Sequence, residues 1–146
     1  MNKIPTILIA DDDEDDRFLV KSAFDDCTVS CSIHYVENGV EVMKYLENEG
    51  AFDNTLKYTK PCLILLDLNM PKKDGREVLK EIKSNPKFKA TPVVILTTSK
   101  AVEDVNLCYG LGANGYIVKP SSFTELANIL KVLTTFWLNI VTLPPV

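Results

Sequence analysis

The chain has 146 residues, 46% of them hydrophobic and 25% charged, which suits one globular domain with a sizeable core and leaves no room for a second. Sixteen Lys and Arg against 20 Asp and Glu give a net charge of −4, which argues against nonspecific nucleic-acid binding by the chain as a whole. No apolar run approaches the roughly 18 residues of a membrane span, and Met1 to Pro5 leads into a short strand rather than a signal-peptide core, so the expected location is the cytoplasm.

Thr6 to Ala10 is the first apolar run of strand length, and six consecutive carboxylates, Asp11 to Asp16, follow it directly. Two unit charges about 4 Å apart repel by about 4 kcal/mol at an effective dielectric of about 20, so any of the six that converge need a cation or a proton. Asp13 fits a helix N-cap, and Glu14, Asp15 and Asp16 fit the first helical turn, where negative charge complements the helix dipole. The helix expected there runs from Glu14 to Phe24. Cys27 and Cys31 follow, and with Cys62 and Cys108 their irregular spacing reads as reduced thiols without a disulfide. Cys27, Cys31 and His34 depart from the usual zinc spacing.

A second strand is expected at Ser32 to Val36 and a second helix at Val40 to Asn48. The connection from Gly50 to Pro61 is long for a small α/β domain and reads either as a solvated insertion or as a contact surface. Cys62 to Leu66 is the third strand, with Asp67 just beyond it. Asp74 with Glu77 has capping-box spacing before a helix at Arg76 to Ser84. Val93 to Leu96, followed by Thr97 and Thr98, is the fourth strand. A helix at Val102 to Leu111 then stops at Gly110 and Gly112. Tyr116 to Val118 is the fifth strand and is followed by Lys119. Ser122 with Glu125 opens a last helix at Phe123 to Leu138.

Strict β/α alternation predicts a doubly wound, five-stranded parallel sheet with helices on both faces, because each parallel crossover needs about a dozen residues. In such sheets ligands bind outside the carboxyl ends of the strands. That rim collects Asp11, Asp12, Asp67, Thr97, Thr98 and Lys119. Carboxylates for a hard divalent cation, with a hydroxyl and an ammonium for an anion, suit phosphoryl transfer to or through a carboxylate.

The segments ILIADDDEDD, LILLDLNMPKKDG, VVILTTS and GYIVKP resemble, in order and spacing, the CheY-like receiver domains of two-component response regulators. The stretch from Pro71 to Ser99 and the terminal FWLNIVTLPP are similar to the stand-alone regulators that accompany bacterial phytochromes. The resemblance implies a flavodoxin-like (βα)5 fold with strand order 2-1-3-4-5. It implies that Asp67 accepts a phosphoryl group from the phosphohistidine of a sensor histidine kinase. It further implies that Asp11, Asp12, Asp67 and the carbonyl of Asn69 hold Mg2+, and that Lys119 and Thr97 contact the phosphoryl group. Tyr116 resembles an aromatic switch residue, a packing role being the other reading. Lys119-Pro120 is expected to be cis, since only an X-Pro bond makes that isomer cheap and the turn must aim the ammonium back at the rim.

Other readings fit the same residues less well. Asp11, Asp13 and Asp15 imitate an EF-hand loop, but Asp16 stands where its Gly should be and Ser22 where its Glu should be. Asp67-Leu68-Asn69 has the nucleophile of aspartate-dependent phosphatases, yet Asn69 replaces their acid and base, so at most slow hydrolysis of its own acyl phosphate is expected. Six acids after the first strand repel a nucleotide phosphate. The expected unit is a single receiver domain over 1–146, with its core at 4–138, a short tail at 139–146 and no effector domain. Output through binding is the corollary, and the resemblance implies a homodimer through the C-terminal region, with Phe136, Trp137 and Ile140 at its interface.

Overall fold

Short apolar runs bounded by polar junction residues form the strands, buried at every position in the three central ones and half-buried in the two at the edges. In the computed structural model, which describes residues 4–25 and 30–145, the strands are β1 Thr6–Ala10, β2 Ser32–Val36, β3 Leu63–Leu66, β4 Val93–Thr97 and β5 Gly115–Val118. The helices are α1 Glu14–Asp25, α2 Gly39–Leu46, α3 Gly75–Ser84, α4 Val102–Leu111 and α5 Phe123–Thr135. Cys27 lies outside the described residues, and so does any test of a site built on it. Cys62 and Cys108 are buried thiols, and burial pushes both above the usual range.

All five strands are parallel, in the order β2-β1-β3-β4-β5, as expected from the resemblance. Alternate residues of each central strand serve two cores. Leu8, Ile64 and Ile95 pack toward Val42, Leu79 and Cys108 of α2, α3 and α4. Ile9, Leu65 and Leu96 pack toward Val20 of α1 and toward Leu126 and Leu130 of α5. Apolar residues are therefore needed on both faces of these central strands, which is why their runs are continuous rather than alternating.

Caps set where the helices begin. The Asp13 carboxylate accepts the backbone N–H groups of Asp15 and Asp16 at 2.9 and 3.1 Å, making it the α1 N-cap. The Ser122 hydroxyl accepts from the Glu125 N–H at 3.3 Å. Asp74 does not form the expected box with Glu77. Its carboxylate is taken by the backbone N–H and the guanidinium of Arg76. Gly112, at φ 106, closes α4 in the left-handed region that glycine adopts without strain.

Two helix ends differ from expectation. The last helix is α-helical only to Thr135 and continues as a π-helical turn over Phe136–Ile140. Thr134 and Thr135 donate their hydroxyls to the carbonyls of Leu130 and Lys131, which loosens the ladder just before that turn. α2 stops at Leu46, because Asn48 turns to φ 53 and donates its side-chain amide to the carbonyls of Phe52 and Tyr58.

Those bonds anchor the long connection. The Phe52 and Tyr58 rings pack tilted or edge-on against Tyr45, Tyr58 also meets His34, and the Tyr45 hydroxyl donates to the Thr59 carbonyl at 2.8 Å. The 50–61 segment is thus packed over the β2 edge of the sheet rather than solvated throughout, a common protection for an edge strand. Leu56 at its tip remains 92% exposed.

Candidate functional site

The register of three strands brings the first two acidic positions together. The Asp11 N–H donates to the Val36 carbonyl at 3.1 Å and the Asp67 N–H to the Ala10 carbonyl at 3.0 Å, so both carboxylates leave the sheet at the same rim. Asp11 and Asp67 are buried, at 3% and 8% exposure, while Asp12 is open to solvent. One carboxylate oxygen from each of the three lies within 4.8 Å of the others. Gly75 permits this approach from the α3 side, since a Cβ there would sit 2.2 Å from the Asp67 carbonyl oxygen.

Lys119 offsets part of the charge of the cluster. Its ammonium donates to Asp11 Oδ2 at 2.7 Å, to Asp16 Oδ2 at 2.7 Å and to Asp67 Oδ2 at 3.1 Å, with the lysine side chain only 6% exposed. The remaining oxygens of the two buried carboxylates are also engaged, Asp11 Oδ1 by the Asp13 N–H and Asp67 Oδ1 by the Asn69 N–H. Burial pushes the Asp11 carboxyl up to about 6, with the Lys119 hydrogen bond pulling the other way. Burial alone would lower Lys119, but its bonds to Asp11 and Asp16 outweigh that and hold the amine above its usual range. At neutral pH the lysine is charged.

The Lys119-Pro120 bond is trans, and no peptide bond among the described residues is cis. The expected cis turn is therefore corrected. The lysine is aimed instead by its own N–H, which donates to the Thr97 carbonyl at 2.8 Å, and by the three carboxylates on its ammonium.

Thr97 ends β4 fully buried, and its hydroxyl has no hydrogen-bond partner among the described residues. An unpaired buried hydroxyl is costly and suits a group awaiting an acceptor. Three carboxylate ligands with a flanking ammonium and this hydroxyl fit a divalent cation beside a phosphoryl group. The Tyr116 side chain is half-buried, and its hydroxyl donates to the Ser99 carbonyl at 3.0 Å, tying β5 to the β4–α4 loop.

Two features of the site are absent from the sequence reading. Asp16, assigned there to the helix dipole, is also a ligand of the Lys119 ammonium. Arg76 reaches from α3 to Asp104 of α4 at 2.8 Å, and Asp104 accepts the Ser99 hydroxyl at 2.6 Å. The Arg76 hydrogen bond and then that of Ser99 hold Asp104 below the usual carboxylate range. A faint signal for Asp16 existed, since it stands three residues after the N-cap Asp13, one helical turn back over the strand end.

At the C-terminal end Phe136 and Ile140 are exposed, at 47% and 67%, whereas Trp137 is half-buried against the α1/α5 core. An open apolar groove runs beside them, lined by Tyr109, Tyr116, Ile129, Val132, Phe136 and Trp137. No helix among the described residues is long and apolar enough to cross a membrane.

A profile of the response regulator receiver domain matches residues 7–131. Response regulator Rcp1 of Synechocystis sp. is 41% identical over 143 residues, 98% of this chain and 95% of that protein. The crystal structure of a phosphorylated cyanobacterial phytochrome response regulator, RcpA, superposes with a TM-score of 0.91 at 43% identity, covering 98% of this chain and all of that one. The Mn2+-bound form of Rcp1 gives 0.89 at 40% identity, over 97% and 99% of the two chains.

Proposed function

Because the chain belongs to the response regulator receiver family, we propose that it accepts a phosphoryl group on Asp67 from the phosphohistidine of a sensor histidine kinase of the phytochrome type. The observation that carries this reading is the buried Asp67 carboxylate, set at the end of β3 within reach of both Asp11 and the Lys119 ammonium. In the transfer an Asp67 carboxylate oxygen attacks phosphorus, a P–O bond forms as the P–N bond breaks, and the released imidazole takes a proton from solvent. Lys119 moves its ammonium from carboxylate to phosphoryl oxygen, and the unpartnered Thr97 hydroxyl donates to a second phosphoryl oxygen. Asp11, Asp12, Asp67 and the carbonyl of Asn69 would hold Mg2+, which supplies positive charge beside the phosphoryl oxygens. The likeness to an Mn2+-bound relative supports a divalent ion there.

With Asn69 in place of a general acid, the acyl phosphate is hydrolysed slowly and the domain signals rather than turning over external phosphoesters. Drawing Thr97 toward the phosphoryl group pulls on the loop that Tyr116 and Ser99 share, so the α4–β5–α5 face changes its partner preference. The domain acts as a single receiver unit in the cytoplasm, with output through protein binding. That output includes a homodimer in which Phe136, Trp137 and Ile140 contribute, a role supported by the open apolar groove.

The test is phosphorylation with Mg2+ and a small labelled acyl-phosphate donor. Wild type takes up label and Asp67→Asn does not. Label persisting on Asp67→Asn defeats the assignment.

A further inference from the structure

Of the three carboxylates that hold Lys119, Asp11 and Asp67 also belong to the three-acid cluster, whereas Asp16 does not. A divalent cation and the ammonium therefore need the same two carboxylates, and at hydrogen-bonding range the two cations repel. Asp16 stands outside that competition. It projects from the first turn of α1, contacts Nζ at 2.7 Å, and with 32% of its side chain exposed it is free to follow the amine. The Lys119 side chain, 6% exposed, has no comparable access to water, so its ammonium needs an anion wherever it goes.

We propose that Asp16 is a positioning residue that takes over the Lys119 ammonium when a divalent cation occupies Asp11 and Asp67. In this exchange the amine slides along the α1 side of the rim instead of leaving the site, so it is still beside Asp67 when a phosphoryl group arrives. Asp16 touches neither the metal nor the phosphoryl group and acts only through Lys119. The inference rests on the three-acid cluster being a divalent-cation site.

The test is a double-mutant cycle on the full chain, read as Mg2+ affinity by titration calorimetry. Asp16→Asn weakens binding by about tenfold, because the displaced amine then has no anion to receive it, and Asp16→Glu recovers much of the loss. In a Lys119→Met background, where there is no ammonium to relocate, Asp16→Asn changes affinity by less than about threefold, the scale of one half-exposed charge. Equal losses in the two backgrounds, or no loss in either, overturn the proposal, because Asp16 is then a bulk charge or a bystander. Should Lys119→Met fail to fold, the Lys119 ammonium is followed by nitrogen NMR during Mg2+ addition. Protection from solvent exchange is then retained in wild type and lost in Asp16→Asn. Loss of protection in wild type as well overturns the exchange. A wild type that binds no Mg2+ at all instead defeats the underlying reading of the cluster.

Discussion

Asp11→Asn should make the metal-free protein more stable at neutral pH, although it removes an ion pair. Asp11 is 3% exposed, so solvent does little to screen its charge, and its carboxyl is pushed from 3.8 to about 6 even with Lys119 beside it. At about 1.4 kcal/mol per pH unit, that displacement means ionising Asp11 in the fold costs about 3 kcal/mol more than in the unfolded chain. The sign follows from proton linkage. Between 3.8 and about 6 the folded state binds more protons than the unfolded one, so stability falls as pH rises through that window and the cost is present in full above it. Asn carries no such charge and can still accept the Asp13 N–H, while Lys119 keeps Asp16 and Asp67. Urea denaturation in EDTA is the assay. The variant should exceed wild type by about 3 kcal/mol at pH 7.5 and by roughly half that at pH 5. Saturating Mg2+ should narrow or reverse the order, since a ligand at about 100 times its Kd adds about 2.7 kcal/mol to the protein that binds it. A variant less stable than wild type at pH 7.5 without metal would refute the reasoning, for the ion pair with Lys119 would then outweigh desolvation.

Thr97→Val replaces a buried, unpartnered hydroxyl by an isosteric methyl, so the unphosphorylated protein should gain about 1 kcal/mol in thermal or urea denaturation while acyl-phosphate formation falls. Gly75→Ala drives a Cβ to 2.2 Å from the Asp67 carbonyl oxygen, and calorimetry should record a loss of about 3 kcal/mol or more, with Mg2+ binding weakened alongside. Arg76→Gln cuts the link from α3 to Asp104 and leaves the Ser99 hydroxyl on an unsupported partner, so amide hydrogen exchange across 98–104 should quicken while the α1 amides are unchanged. Phe136→Glu together with Ile140→Glu places charge on the exposed apolar end, and sedimentation should show a dimeric wild type becoming monomeric. A wild type that sediments as a monomer at high concentration removes that interface.

Much of the fold and most of the candidate site were legible because their signals are local. Continuous apolar runs bounded by polar junctions marked β1, β3 and β4 to within a residue or two, and the side chain of Asp13 capped α1 in place. Parallel strands put the residues after each run on one rim, which is how Asp11, Asp67, Thr97 and Lys119 could be grouped while far apart along the chain. The end of α5 was legible only in part, since a period of 3.6 says nothing of two threonine hydroxyls back-bonding to the helix.

Only the tertiary structure decided which charge meets which. Asp16 and Lys119 are 103 residues apart, and helical charge patterning described Asp16 fully without reference to the lysine. Arg76 and Asp104 lie on different helices, and the trans bond after Lys119 follows a turn whose direction is set by contacts with β4 and the acidic rim. The chain by itself determined the elements and the rim they share, because periodicity, caps and strand ends depend on neighbours in sequence. Which three carboxylates hold the one buried ammonium belonged to packing, because burial and distance between elements set the strength of a charge pair, and neither exists until the helices close over the sheet.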